Sequence, residues 1–227
     1  MNLFYLEPDN VTGSTGTFSD EEARHIRQVL RKNDGDELTA TDGEGNRFTG
    51  ILRHQGKKGA MLEIHHSERQ EAPFPELIIG VGLVKMRQRL EWMIEKLTEL
   101  GVNKICLLHT SRTYRDKIRA DRLKDVALSA MKQSLRCDLP EITEMSYSDF
   151  LDDFKIYPVW IAHEKADKEE GGPDLSSPCV IAIGPEGGFS DEEIELGLKF
   201  GAKLLSLGEQ RLRTETAAIK CAAVFRF

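Results

Sequence analysis

Residues 77–84, LIIGVGLV, form a run with no charged or strongly polar side chain. A strand of this kind has both faces covered, as in parallel sheets, whereas a sheet with one wet face shows alternation. Leu90, Met93, Ile94, Leu97 and Leu100 follow at helical spacing, and Gly101 stands where such a helix would stop. A buried strand feeding an amphipathic helix is the unit of a layered α/β fold, and the chain repeats it. Segments 105–108, 157–162, 179–183 and 203–207 read as further strands. Segments 121–135, 190–201 and 214–225 read as further helices, the second announced by Ser190 with Glu193. The predicted fold class is therefore α/β around a mostly parallel sheet.

Before residue 73 the pattern differs. Segments 37–41, 47–54 and 60–66 alternate apolar and polar residues between glycine-bearing turns at 43–45 and 56–59. Ser19 with Glu22 opens one helix, in which Ile26, Val29 and Leu30 recur at helical spacing. This is a small β unit of barrel type. Pro73 and Pro75 interrupt an acidic, poorly periodic stretch, so two domains are expected, 1–72 and 73–227.

Several classes are excluded. No stretch approaches the roughly 18 apolar residues of a membrane span, and the N-terminus lacks the basic and apolar regions of a signal peptide. A cytoplasmic protein without membrane association is expected. Cys106, Cys137, Cys179 and Cys221 form no CxxC pair and stand apart from histidines, which reads as reduced thiols and no metal site. The net charge of −7 conceals a strong asymmetry. Segment 85–136 holds thirteen Lys or Arg against six Asp or Glu, and segment 137–227 holds nine against eighteen. A basic face on an acidic protein is one reading, and solvated helix faces are the other.

In open α/β sheets, ligands sit beyond the carboxyl ends of the strands, where two loops stand out. Gly184-Pro185-Glu186-Gly187-Gly188-Phe189 separates a buried strand from a capped helix. Its glycines let backbone approach a ligand and leave amide and carbonyl groups available. It is not a phosphate loop: no lysine follows the glycines, GxGxxG is absent, and Glu186 would repel a phosphate. A ligand with little negative charge fits, such as an adenosine joined to a cation. The second loop, 207–217, brings Arg211, Arg213, Glu215, Thr214 and Thr216 to a helix entrance.

GPEGGFS followed by LG-x-x-x-LRTETA resembles the paired C-terminal motifs of the SPOUT class of S-adenosylmethionine-dependent RNA methyltransferases. More narrowly, the chain resembles the bacterial ribosomal RNA small subunit methyltransferase E family, which methylates N3 of a uridine in 16S rRNA. The resemblance continues upstream through RHIRQVLRKNDGD, through Lys85 with Arg89-Leu90-Glu91-Trp92, through Lys96 and Glu99-Leu100-Gly101-Val102, and through Arg112 and Gln133-Ser134-x-Arg136. It implies a PUA-like β-barrel at residues 1–72 that binds RNA, and an α/β domain at 73–227 tied in a trefoil knot. It also implies a homodimer, and ribosomal RNA or the small ribosomal subunit as partner. S-adenosylmethionine would lie against Gly184, Pro185, Glu186, Gly187, Gly188, Leu207, Gly208, Leu212, Arg213 and Thr214. RNA would meet Arg24, His25, Arg27, Arg31, Lys85, Arg89, Arg112, Gln133 and Arg136.

Uridine N3 must lose its proton, leaving negative charge on the flanking carbonyl oxygens, so a donor and a proton acceptor are sought. Arg213 is the candidate donor and Glu215 the nearest carboxylate, and no metal is required. The alternative role for this pair is mutual bracing of the loop. Two departures from the family pattern stand out: no arginine opens the chain, and Gln210 precedes Arg211 where an arginine is usual. Methylation at another RNA position, or RNA binding and ribosome assembly without catalysis, remain as other functions of the same fold.

Overall fold

Two separate six-stranded sheets carry the fold. The computed structural model describes residues 2–113, 118–164, 166, 172–174 and 176–226. One unit comprises Met1–Ala72 with Leu128–Leu139, and the other Pro73–Ala127 with Pro140–Phe227.

The first unit contains β1 (Leu3–Tyr5), β2 (Val11–Thr12), β3 (Thr15–Thr17), β4 (Glu37–Thr41), β5 (Asn46–Gln55) and β6 (Gly59–Arg69), in the order β1-β4-β5-β6-β3-β2. Only β1 and β4 run parallel. Alternation along β5 sends Phe48 and Leu52 inward to meet Leu6, Phe18, Ile26 and Leu62. Helix α1 (Asp20–Arg24) begins where the Ser19 hydroxyl accepts from Glu22 N at 3.2 Å. The Glu22 carboxylate does not complete the expected capping box. It accepts instead from Tyr5 N at 2.9 Å and Lys132 Nζ at 2.9 Å. Residues 137–139 are sewn to the same sheet by Gly45 N to Cys137 O, Leu139 N to Gly43 O and Thr41 Oγ1 to Cys137 O.

Past α1 the chain takes a wider π-helical turn, His25–Val29. The expected core stripe of Ile26, Val29 and Leu30 is thereby broken: Ile26 is buried, but Val29 is 64% exposed. An extra residue in the turn rotates the later side chains off the ideal helical face.

The second unit contains β7 (Leu77–Gly82), β8 (Lys104–His109), β9 (Glu141–Ser146), β10 (Val159–Ala162), β11 (Cys179–Ile183) and β12 (Lys203–Leu205). Their order is β12-β10-β11-β7-β8-β9, and every neighbouring pair is parallel. Helices α2 (Arg87–Glu99) and α6 (Thr214–Arg226) pack on each other, and α6 lies on β7 and β11. Helix α4 (Tyr147–Asp153) covers β8 and β9, and α5 (Asp191–Lys199) meets α4. Phe150 of α4 is fully buried over Gly80, where an added Cβ would lie 2.6 Å from its ring. Helix α3 (Ala120–Gln133) runs from the second unit into the segment belonging to the first. Trp160, on β10, is buried, whereas Trp92, on α2, is 46% exposed.

Candidate functional site

Strand order reverses between β7 and β11, because β8 and β9 extend the sheet on one side and β10 and β12 on the other. Such a switch point opens a crevice beyond the strand ends, and the 184–189 loop leaves β11 there. Gly184 is required by contact: an added Cβ would stand 2.8 Å from Phe189 N and 2.9 Å from Gly188 C and Cα. Gly82, at the end of β7, is constrained from the other side. Its Cβ would overlap Pro185 N and Cδ and come within 3.0 Å of the Gly184 carbonyl carbon. Gly188 answers to conformation instead, with φ +69° and open space around it. Gly188 N donates to Pro185 O at 2.8 Å, closing the turn.

Side chains from other elements hold this turn. The Arg112 guanidinium donates through Nη1 to Gly187 O at 2.6 Å and to Phe189 O at 3.2 Å. Glu186 accepts from Lys85 N at 3.1 Å. Phe189 is buried against Tyr147, ring centroids 4.6 Å apart. Burial, with Glu193 nearby, pushes the Tyr147 phenol far above its ordinary value, so that hydroxyl stays neutral. The expected capping box of α5 forms in full between Ser190 and Glu193, and Glu193 also accepts from Ser111 N at 2.7 Å.

The second loop follows β12. Lys220 donates to Leu207 O at 2.7 Å, and Gly208 takes φ +105°. Thr214 Oγ1 donates to Gly184 O at 3.0 Å and joins the start of α6 to the first loop. Between the loops lies a cavity of about 660 Å³. Its wall includes Gly184, Pro185, Glu186, Gly187, Gly188, Leu207, Gly208, Leu212, Arg213 and Thr214, with His163 and Glu164 beyond β10. The size is that of a small-molecule site. Apolar Ile183, Phe189, Leu212 and Ala217 meet backbone polar groups and charges of both signs there. Glu164, Glu186, Asp191 and Glu209 oppose Arg112, Arg211 and Arg213, a setting that tolerates a cationic sulfonium beside an adenosine. The residues present thus fit S-adenosylmethionine in size, charge and backbone access.

Arg213 is exposed on this wall and makes no side-chain hydrogen bond or ion pair among the described residues. Glu215 is placed differently. It is 5% exposed, is absent from the cavity wall, and faces Arg89 of α2, whose Nε lies 3.6 Å from its Oε1. Arg213 and Glu215 therefore do not brace each other.

The residues read as RNA contacts differ in exposure and in partners, Arg24 bonding Gln28 and Lys85 N donating to Glu186. Arg24, His25, Arg31, Lys85 and Gln133 are exposed. Arg27, Arg89, Arg112 and Arg136 have internal partners. Arg27 donates to the carbonyls of Gly56, Lys57 and Gly59, and Arg136 is 7% exposed and paired with Asp138. Several cations of 85–136 are ion-paired: Lys96 with Glu95 and Glu99 and Arg122 with Glu91 of the same segment, and Lys104 with Glu141 and Lys132 with Glu22 from outside it. Arg115 and Lys117 of this segment lie outside the described residues. Among the described residues no group of three or more His, Cys, Asp or Glu is arranged to hold a metal ion, and no helix is long and apolar enough to cross a membrane.

Comparison with known proteins finds two family matches along the chain. The model of an RNA methyltransferase domain matches residues 70–226, and that of an RNA methyltransferase PUA domain matches residues 18–64. The ribosomal RNA small subunit methyltransferase E of Mesomycoplasma hyopneumoniae is 34% identical over 155 residues, 65% of this chain and 67% of that protein. Its counterpart from Rickettsia conorii is 30% identical over 218 residues, 92% of this chain and 87% of that protein. The crystal structure of a ribosomal RNA small subunit methyltransferase E from Neisseria gonorrhoeae, bound to S-adenosyl methionine, superposes with a TM-score of 0.85. It is 29% identical and covers 99% of this chain and 96% of that one.

Proposed function

The chain belongs to the ribosomal RNA small subunit methyltransferase E family, and we propose that its two-loop cavity binds S-adenosylmethionine for methyl transfer to N3 of a uridine in 16S rRNA. The observation that carries this reading is the closure of the cavity. Thr214 is bonded to Gly184, so the two loops singled out by sequence face one ligand-sized space. When bound, the cofactor supplies an electrophilic methyl group on a sulfonium sulfur.

The protein's own part is positioning and electrostatics. Backbone groups of 184–188 and 207–208 hold the adenosine end, and Gly82 keeps β7 from filling the loop's space. Arg213, permanently cationic and without a side-chain partner among the described residues, is aimed at the charge that develops on the uridine carbonyl oxygens. Glu215 is a positioning residue: its ion pair with Arg89 fixes the first turn of α6 and with it Arg213 and Thr214.

Residues 1–72 act as the RNA-binding PUA-like domain and 73–227 as the catalytic domain, with RNA met by Arg24, His25, Arg31, Lys85 and Gln133. Return of the chain from edge strand β12 to α6 on the central strands supports a trefoil knot through the 184–189 loop. Trp92 at 46% and Val224 at 51% exposure, on the paired helices α2 and α6, support a homodimer through this face. A cytoplasmic location follows from a ribosomal substrate. The test is incubation of purified protein with methyl-labelled S-adenosylmethionine and small subunits lacking this modification, with nucleoside mass analysis. Label in 3-methyluridine is expected, and label in another nucleoside, or none, refutes the reading.

A further inference from the structure

Arg27 is spent in an unusual way for a cation on a small RNA-binding unit. Its guanidinium leaves the π-helical turn and donates to three carbonyls of the 56–59 turn: Gly56 O at 3.1 Å, Lys57 O at 2.9 Å and Gly59 O at 3.0 Å. A second tie runs alongside, with His54 Nε2 at 3.1 Å from Lys32 O. The tip of the β5–β6 hairpin is therefore bolted to the segment that ends the helix. Backbone shape at this junction is equally specific. Arg31 takes φ +52° and Gly56 φ +58°, and the wider turn pushes Val29 outward. Left-handed non-glycine residues and π turns cluster at functional sites.

The junction gathers one sign of charge. Arg24, Arg31, Lys57 and Lys58 are all exposed, and Lys32 is half-buried. Arg31, Lys32, Lys57 and Lys58 make no side-chain hydrogen bond or ion pair among the described residues, and Arg24 meets only the neutral Gln28. The acids of the 33–36 turn are already engaged: Asp34 accepts from His54 N and faces Arg53, and Asp36 accepts from Asn33 N. Unpaired cations on a rigid edge match a polyanion with spaced phosphates.

We propose that Arg27 is a positioning residue that locks the 56–59 turn against the helix end, assembling Arg24, Arg31, Lys32, Lys57 and Lys58 into one phosphate-binding edge for the RNA backbone. Lys57 and Lys58, which the sequence places in a plain turn, are direct phosphate contacts on this edge. The proposal deepens the RNA-methylation reading and rests on it only for the identity of the RNA. Arg27 contributes through shape: three carbonyls bound by one planar fork admit a single turn geometry, which a lysine ammonium cannot enforce.

The experiment is binding of in vitro transcribed small-subunit rRNA across a salt series, with methyl transfer measured in parallel. The double variant Lys57→Gln/Lys58→Gln should lower the slope of log affinity against log salt by about 1.4 to 1.8, from roughly 0.7 to 0.9 per phosphate contact. It should raise KM for RNA severalfold with kcat and cofactor affinity unchanged. Arg27→Ala should reproduce part of this loss, and combining it with the lysine changes should lose little beyond what the lysine changes lose alone. If Arg27→Ala does not fold, Arg27→Lys serves in the same cycle and should give an intermediate loss. An unchanged salt slope in the lysine variant would overturn the proposal, as would full additivity of the arginine and lysine effects. Wild-type protein that transfers no methyl would refute the enzymatic reading instead, and the salt slopes would still decide the RNA edge.

Discussion

Replacing Gly184 by alanine tests the loop geometry at one atom. Gly184 does not have a positive φ, so the objection to a side chain there is steric. The added Cβ would stand 2.8 Å from Phe189 N and 2.9 Å from Gly188 C and Cα, all of them backbone. Ordinary contacts begin near about 3.5 Å, so the turn must open by roughly 0.6 to 0.7 Å. Overpacking of this kind costs about 1 to 3 kcal/mol. Because Gly184 O also accepts from Thr214, the opening displaces both cavity walls. If the strain appears as lost binding, affinity for S-adenosylmethionine falls roughly 5- to 150-fold, about 1.4 kcal/mol being tenfold. Calorimetric titration of the folded variant measures it. Gly50→Ala supplies the control, since its Cβ would overlap Glu63 O in the first unit, and it should lower Tm while leaving cofactor affinity intact. Gly187→Ala should have only a small effect, because its nearest neighbour is the flexible Arg112 Cδ at 3.3 Å. A folded Gly184→Ala protein with wild-type affinity would refute the reasoning.

Other expectations concern charge and protons. Arg213→Ala should slow single-turnover methyl transfer by a large factor at saturating cofactor and RNA while S-adenosylmethionine still binds; an unchanged rate would remove Arg213 from the chemistry. Arg89→Met leaves the buried Glu215 carboxylate without its ion pair and should destabilise the protein by about 2 to 4 kcal/mol in urea unfolding, whereas the further change Glu215→Gln should restore part of that loss. Arg112→Ala should weaken cofactor binding severalfold through the loosened 187–189 carbonyls, and Arg112→Lys should not restore it, as calorimetry will show. Burial pushes the Cys179 and Cys221 thiols from 9.0 up to about 12, so neither should react with a thiol reagent at pH 8 in the native protein. In the unfolded chain these thiols ionise near their ordinary value, so they favour folding below about pH 9, and that contribution is lost as pH rises toward 12. Rapid labelling of either cysteine in folded protein would contradict the burial.

The second unit was readable because its strands are apolar throughout and its helices periodic, signals that do not depend on distant partners. Strand β9, EITEMS, escaped notice because it is a half-exposed edge strand with charges in it, and α4 because seven residues give too little periodicity. Ten residues of the cavity wall were legible as two glycine-rich and arginine-bearing loops after buried strands. Gly82 was not, since a glycine inside LIIGVGLV looks like a weak strand residue until Pro185 is seen against it. Charge was the least legible property. The basic excess of 85–136 is a fact of sequence, but Glu22, Glu141 and Glu215 come from far along the chain to neutralise Lys132, Lys104 and Arg89. The bonds of Arg27 were hidden in the same way, since its partners are carbonyls of a turn about thirty residues on, and carbonyls leave no trace in composition.

A methyl group on N3 occupies the pairing edge of uridine and stops a copying polymerase, whereas a methyl on ribose leaves that edge free. Small subunits lacking the modification should be treated with this protein and S-adenosylmethionine, and their 16S rRNA reverse-transcribed. A cofactor-dependent stop at a single uridine, weakened at limiting cofactor in the Gly184→Ala protein, is the predicted result. Incorporation of methyl label without any such stop would contradict methylation at uridine N3.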